Sequence, residues 1–493
     1  MKRYLLLFLL LLAGLLFAQQ NLTINGLNEA QLIYRDAKDS LGFYFKDSFS
    51  FQMGYRNFAF GMKFVAELPK YQNDQSQLVH HLHAQNLGVG WKELFVAYEK
   101  DAWMLRGGTM YETFGSGLVF RSYEDLEFDH DHRLDGFHFK YDDAFRLKAI
   151  YGANASPQNG NALDLAYGLD FEYPLWFMKL GIAGVGYRNL TPLNDYSRTD
   201  IYSGRLGINL ANLNINTEYA TRDLDYPASP TFESVSGSAL YVTADYSIGP
   251  LMLGTAIKDY DQFHFRQQDV PLANYHGETL SDTQASALDE RGWQGWANVG
   301  LGNTSFDLNY AEAWNKDKSK RMNDAYAAVQ YTIGDLNGEA SWSHVEKKGS
   351  DLDHLNQEIH YWQREITPAL SFDFPAFGTP LGVIAQYKLV DKENLNAEGS
   401  AYELKSHYEP RLQLDLALGG HSISLAAESK WTDFDSILTS RYWAGAELRL
   451  ALSNESDILI FGGREAGGKV CRNGMCRYVA PFSGLRIELA TRF

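Results

Sequence analysis

The stretch Ser483-Gly484-Leu485-Arg486-Ile487-Glu488-Leu489-Ala490-Thr491-Arg492-Phe493 holds the key to the fold. Leu485, Ile487, Leu489 and Phe493 share one parity, and Arg486, Glu488 and Arg492 share the other. A period of two belongs to a β-strand with one apolar and one polar face. The same period recurs upstream. Leu412, Leu414, Leu416 and Leu418 alternate with Gln413, Asp415 and Ala417, and Leu448, Leu450 and Leu452 with Glu447, Arg449 and Ala451.

Such strands fit a soluble sandwich as well as a membrane barrel, and the connections discriminate. Every second link is tight: Arg56-Asn57, Asp142-Asp143, Ala211-Asn212-Leu213, Gly302-Asn303, Gly419-Gly420 and Asn454-Glu455. The links between them are longer and more polar: 69–83, 113–130, 189–199, 264–290, 347–357, 391–399 and 465–476. Short turns at one end and long loops at the other mark an outer-membrane barrel, with turns periplasmic and loops extracellular. The aromatic end of the 477–493 strand resembles the terminal signal read by bacterial barrel-assembly machinery, which makes Phe493 the candidate signal residue. The expected fold is all-β: a single large antiparallel transmembrane β-barrel of about 24 strands, within 22–26. Its 30 Tyr and 10 Trp suit the aromatic rims of such a barrel.

The other end names a compartment. Lys2 and Arg3 precede an unbroken apolar run from Tyr4 to Phe17, followed by Ala18 and Gln19-Gln20. This is the layout of a cleaved secretory signal peptide. The expected organisation is therefore a signal peptide over 1–18 and an outer-membrane β-barrel over 19–493, in contact with outer-membrane lipids. With 44 Lys plus Arg against 61 Asp plus Glu, the chain carries −17. An acidic chain without a basic run makes a poor nucleic-acid partner. Strand one is expected directly after the leader, which leaves no preceding plug domain and makes loops 113–130 and 264–290 the candidate constrictions.

On the parity opposite to lipid stand Lys140, Arg205, Asp307, Lys388, Arg411, Asp415, Glu428, Lys430, Glu447, Arg449, Arg486 and Glu488. Charges of both signs imply a hydrated lumen, with no apolar stripe for a lipid tunnel. The segment from Gly107 to Leu118, with Arg121 and Glu124, is dense in glycine and aromatics. Glu112, Arg121 and Glu124 can form a charge network that pins an inward-folded loop; the alternative is a strand end with a Gly-rich rim. Loop 264–290, with Asp269, Glu278, Asp282, Asp289 and Glu290 against Arg266, reads as an acidic mouth favouring cations.

His80, His81 and His83, and the run Glu124, Asp125, Glu127, Asp129, His130, Asp131 and His132, have metal-ligating chemistry but no established metal spacing, so no metal site is assigned. No nucleophile elbow or phosphate loop is present in the sequence, and no catalytic residue or cofactor is assigned. Cys471 and Cys476 flank Arg472-Asn473-Gly474-Met475. In an exported chain the Asn-Gly turn makes a disulfide the expected state, stapling a loop.

The Tyr111-Glu112-Thr113-Phe114-Gly115-Ser116-Gly117-Leu118 stretch resembles a family of exported proteins of Bacteroidota-like bacteria known as domain of unknown function 6029. Arg121-Ser122-Tyr123-Glu124 and the ending Gly462-Gly463, Cys471, Gly474, Cys476-Arg477-Tyr478-Val479 carry the same resemblance. It implies a barrel-like exported protein and supplies no activity. From the physics, the expected function is a porin-like channel for small hydrophilic solutes. The alternative is a non-conducting barrel for adhesion or for docking another envelope protein. Solute, partner and oligomeric state stay open.

Overall fold

The computed structural model describes residues 22–36, 42–68, 80–84, 87–125, 130–156, 162–191, 195–226, 234–265, 267–281, 287–352, 358–376, 378–395, 402–432, 441–472, 475–479 and 481–493. The signal-peptide reading over 1–18 lies outside them.

A closed antiparallel barrel of 24 strands forms the body of the molecule. Each strand pairs with its predecessor and successor in the chain, and Leu22–Arg35 also pairs with Phe482–Arg492 to close the ring. Closure satisfies every edge, which hydrocarbon demands. The turns at one end are tight because their residues adopt positive φ: Arg56 and Asp101 at 53°, Ala211 at 50°, Gly302 at 62° and Gly419 at 63°. That geometry matches the twist of the flanking strands. Both described ends of the chain lie beside these turns, with Leu22 opposite Tyr55 and Thr491 opposite Ser456.

The outward face is apolar. Leu169 is 57% exposed, Ile182 63% and Leu308 52%, whereas a soluble protein rarely leaves such residues in one continuous band. An aromatic belt follows the turn end. Phe58 packs on Tyr98 at 4.9 Å, Trp103 on Tyr141 at 4.6 Å, and Tyr141 on Phe145 at 4.6 Å. These side chains sit where rings favour the membrane–water boundary.

Several strands run further than their alternation suggests. Tyr196–Leu210, Leu336–Leu352 and Thr379–Leu395 extend beyond the expected 200–210, 336–346 and 380–390. Their polar upper turns stand above the apolar band, where ladder pairing no longer needs an apolar face. The last strand begins at Phe482, and 477–479 belongs to a separate hairpin, Gly468–Arg472 with Met475–Val479. His80–His83, read as the end of loop 69–83, belong to a short strand, His80–Ala84, on Leu87–Lys100.

Candidate functional site

The lumen is where this barrel departs from an open pipe. Past Met110 the chain turns inward and forms a small hairpin, Glu112–Phe114 with Phe120–Ser122. Phe114, Leu118, Val119 and Phe120 are buried, and they pack on Ala166, Val185, Tyr187 and Ile201 of the barrel wall. Phe263, Phe265 and Val270, from the long segment after Tyr260, join the same cluster. An apolar core thus fills part of the lumen. The wall alanines and aromatics beneath these loops form an apolar patch where alternation shows no apolar stripe. Ala166, Ala183, Ala220 and Ala239 lie on the lumen parity and are fully or almost fully covered. Alanines attract little notice in sequence, yet their small side chains leave room for inserted aromatics.

The glycine motif shapes the hairpin tip. Gly115 has φ 55°, and a Cβ there would stand 2.5 Å from a Glu218 carboxylate oxygen. Glu218 accepts hydrogen bonds from the Ser116 backbone N–H at 2.8 Å, the Ser116 hydroxyl at 2.7 Å and the Ser203 hydroxyl at 2.9 Å. Tyr187 donates its hydroxyl to the Val119 carbonyl at 2.8 Å. Neither Glu218 nor Tyr187 stood out in sequence; their alternation on lumen parity was the available signal.

Charge anchors the rest, in a different pattern from the expected network. Glu112, Arg121 and Glu124 are drawn to separate partners. Glu112 lies 2.9 Å from His138, 2.9 Å from Lys140 and 2.8 Å from Lys148. Glu124 pairs with Lys92 and, at 3.3 Å, with Lys63. Arg121 pairs with Asp269 of the second inward segment. Two anchors on separate stretches of the barrel wall and one on the second inward segment hold the loop. Burial pushes the Glu112 carboxyl up, but His138, Lys148 and Lys140 outweigh it and hold the group well below the usual carboxylate range. Burial likewise opposes Lys92 and Lys63 at Glu124, which ends lower than an ordinary carboxyl.

The two inward segments clasp each other through backbone as well. Arg121 N–H donates to the Gln267 carbonyl at 2.9 Å and Asp269 N–H to the Gly117 carbonyl at 3.3 Å. Further along this segment, His276 lies 2.8 Å from Asp324 and Glu278 2.7 Å from Lys347. Glu290 forms a fully buried pair with Lys258. The acidic-mouth reading of 264–290 is therefore corrected: Asp269, Glu278 and Glu290 serve as anchors with cationic partners. Asp282 and Arg266 lie outside the described residues.

The opposite wall keeps its charges. Lys388, Glu409, Arg411, Glu428, Trp443 and Arg464 line one polar cleft. Lys430 stands 3.1 Å from Glu409 and Arg449 3.2 Å from Asp457, both pairs half-exposed. Arg486 faces the lumen but is packed rather than free: it lies 2.7 Å from Glu488 and 3.6 Å from Glu465, between the Phe461 and Phe482 rings. Phe493 closes the ring seam. Its backbone exchanges hydrogen bonds with Gly26 at 2.8 and 3.1 Å, and its ring occupies the space a Cβ at Gly26 would need.

Register places Cys471 opposite Cys476. Directly opposed residues of an antiparallel pair have Cα atoms about 4.5–5.5 Å apart, within disulfide reach. Their side chains lie outside the described residues, as do those of His80, His81, His83, Asp125 and His130 and the whole of Glu127 and Asp129. Asp131 is engaged by Arg133 at 3.1 Å, and the His132 ring packs tilted on Tyr123 at 5.3 Å.

A family model described as a family of unknown function, DUF6029, matches residues 1–285. No curated protein matches the sequence. Among solved structures, the barrel is similar to an Escherichia coli P pilus tip assembly intermediate, PapC-PapD-PapK-PapG, with a TM-score of 0.54 at 9% identity. That alignment covers 96% of this chain and 60% of the other. The siderophore receptor PirA of Pseudomonas aeruginosa aligns with a TM-score of 0.49 at 12% identity over 96% of this chain and 80% of its own. Pseudomonas aeruginosa OpdK, solved with vanillate, aligns with a TM-score of 0.39 at 13% identity over 72% and 99%. At these identities the likeness concerns fold alone.

Proposed function

Because the chain belongs to the family of unknown function DUF6029, whose description names no activity, we propose a function from the barrel itself. It is a porin-like outer-membrane channel for small hydrophilic solutes, narrowed by its own inward segments. The observation that carries this is the asymmetry of the lumen. One side is filled by the core around Phe114 and Phe263, and the other retains a cleft lined by Lys388, Glu409, Arg411 and Glu428. Mixed charge supports a hydrated path with weak selectivity, since charged rings of one sign are what impose strong selectivity. The proposal makes the chain a transporter rather than an enzyme. It includes export through a cleaved leader over 1–18, insertion by barrel-assembly machinery reading Phe493, and residence among outer-membrane lipids.

Single-channel recording of the refolded protein in planar bilayers tests it. Small unitary currents with a reversal potential near zero in a salt gradient are expected. Absence of conductance at every voltage would refute the channel and favour the adhesion or docking barrel, a reading to which the packed core around Phe114 lends some support.

A further inference from the structure

The outer face of strands Thr304–Trp314, Arg321–Ile333 and Leu336–Leu352 changes character with height. Pairing stacks its residues in rows. Trp314, Arg321 and Lys348 form an upper row, and Glu312, Asn323 and Glu346 the next. Further down, Leu308, Ala327 and Trp342 form another. All share the parity of Leu308 and Trp342, which are 52% and 42% exposed, so all point outward from the barrel.

The upper two rows, with Lys318 from the adjoining loop, line one polar recess. Among the described residues no carboxylate pairs with Lys318, Arg321 or Lys348, and all three are exposed. The acidic groups beside them are held elsewhere. Glu312 accepts from the Tyr310 hydroxyl at 2.6 Å and Glu346 from the Trp362 indole at 2.8 Å. The nearby Arg364 is taken by Asp391 at 2.6 Å. Below the recess the same wall sinks into an apolar groove of about 650 Å³. Ala327, Ala340 and Ala385 form its floor and Leu308, Trp342 and Leu370 its sides. Pro368 sits within it, where the ladder passes from Ile366–Leu389 directly to Ala369–Gln386.

We infer that this face binds a phosphorylated glycolipid of the outer leaflet, with phosphate on Arg321 and Lys348 and an acyl chain in the groove. Guanidinium and ammonium groups without a protein anion are the natural partners of phosphate oxygens. A row of cations cannot sit in hydrocarbon, so it fixes the head-group level on this wall. From Arg321 to Ala327 the strand rises by about 20 Å, and tilt shortens that along the membrane normal. That separates a head-group phosphate from its chains. Glu312 and Glu346, one row lower, face the hydroxyl and amide donors of the sugar. The site lies on the outside of the barrel and holds whether or not the lumen conducts.

The full chain, refolded in an uncharged detergent, is to be titrated with lipid A, with fully dephosphorylated lipid A and with inorganic phosphate. Native mass spectrometry and a fluorescence titration give the readout. Lipid A is expected to bind tightest, and Arg321→Gln with Lys348→Gln to weaken it roughly thirtyfold, from two lost cation–head-group contacts. Ala327→Leu with Ala340→Leu should weaken both lipids alike by filling the groove. Heat-modifiable gel migration checks that each variant is a folded barrel. Should the charge variant fail to fold, the comparison of the two lipids on the parent protein still decides. Equal affinity for both lipids, inorganic phosphate binding as tightly as lipid A, or indifference to both folded variants would overturn the site. So would a lipid-free dimer closed through this face.

Discussion

Replacing Glu112 by Gln removes the charge that docks the lumen hairpin while keeping its shape. The parent carboxylate lies within 2.9 Å of His138 and Lys140 and 2.8 Å of Lys148. The side chains of His138 and Lys148 are 3% and 14% exposed, so both lose their anion in a place where water reaches them poorly. Removing one partner of a buried ion pair costs about 3–5 kcal/mol. Lys140, at 37% exposed, is largely screened and adds little. Lys148 also retains the Thr113 carbonyl at 2.7 Å. The retained carbonyl and the screened lysine bring the cost to or below the bottom of that range, about 2–3 kcal/mol, with the loss falling on hairpin docking because the ring of strands does not depend on Glu112. That raises the undocked population by roughly 30- to 150-fold. Planar-bilayer recording should show longer and larger open events, and a protease added to liposomes should cut faster at 115–118. Heat-modifiable migration should match the parent. A folded Glu112→Gln barrel with parental currents and parental cleavage would refute the docking role of this anchor.

Acid should release the same hairpin. Glu112 and Glu124 are both held below the ordinary carboxylate value, so their contribution is fully present above about pH 4.3 and is lost as pH falls through the lowered values. Currents recorded from pH 7 to 5 should be alike and should grow only in stronger acid; opening between pH 7 and 5 would contradict this assignment. Ile487→Arg places a charge on the lipid face between Leu485 and Leu489 and should impair membrane assembly by about 2–4 kcal/mol; folding yields equal to the parent in lipid vesicles would show the parity to be wrong. Cys471 and Cys476, opposed in register, should be oxidised on the cell exterior. An impermeant thiol reagent should label intact cells only after reduction, and labelling without reductant would mean free thiols.

The barrel was legible in the residues themselves because its determinants are local. Alternation such as Leu485-Arg486-Ile487-Glu488 assigns faces, and turns such as Gly302-Asn303 assign hairpins; neither needs knowledge of distant chain. Parity sets Arg205, Arg411, Arg449 and Arg486 on the face opposite to the apolar residues, while composition leaves the dense Gly107–Leu118 segment open between an inward fold and a Gly-rich rim. Tertiary structure alone decided what that segment meets. Phe114 and Phe120 find Ala166, Val185 and Tyr187 on one side and Phe263 and Phe265 on the other, residues far apart along the chain. Glu112, Arg121 and Glu124 bind His138, Asp269 and Lys92, not each other. A period of two tells which side of a wall a residue occupies. It carries nothing about what crosses the interior, because inserted loops have no period and their contacts depend on the curvature that closes the ring.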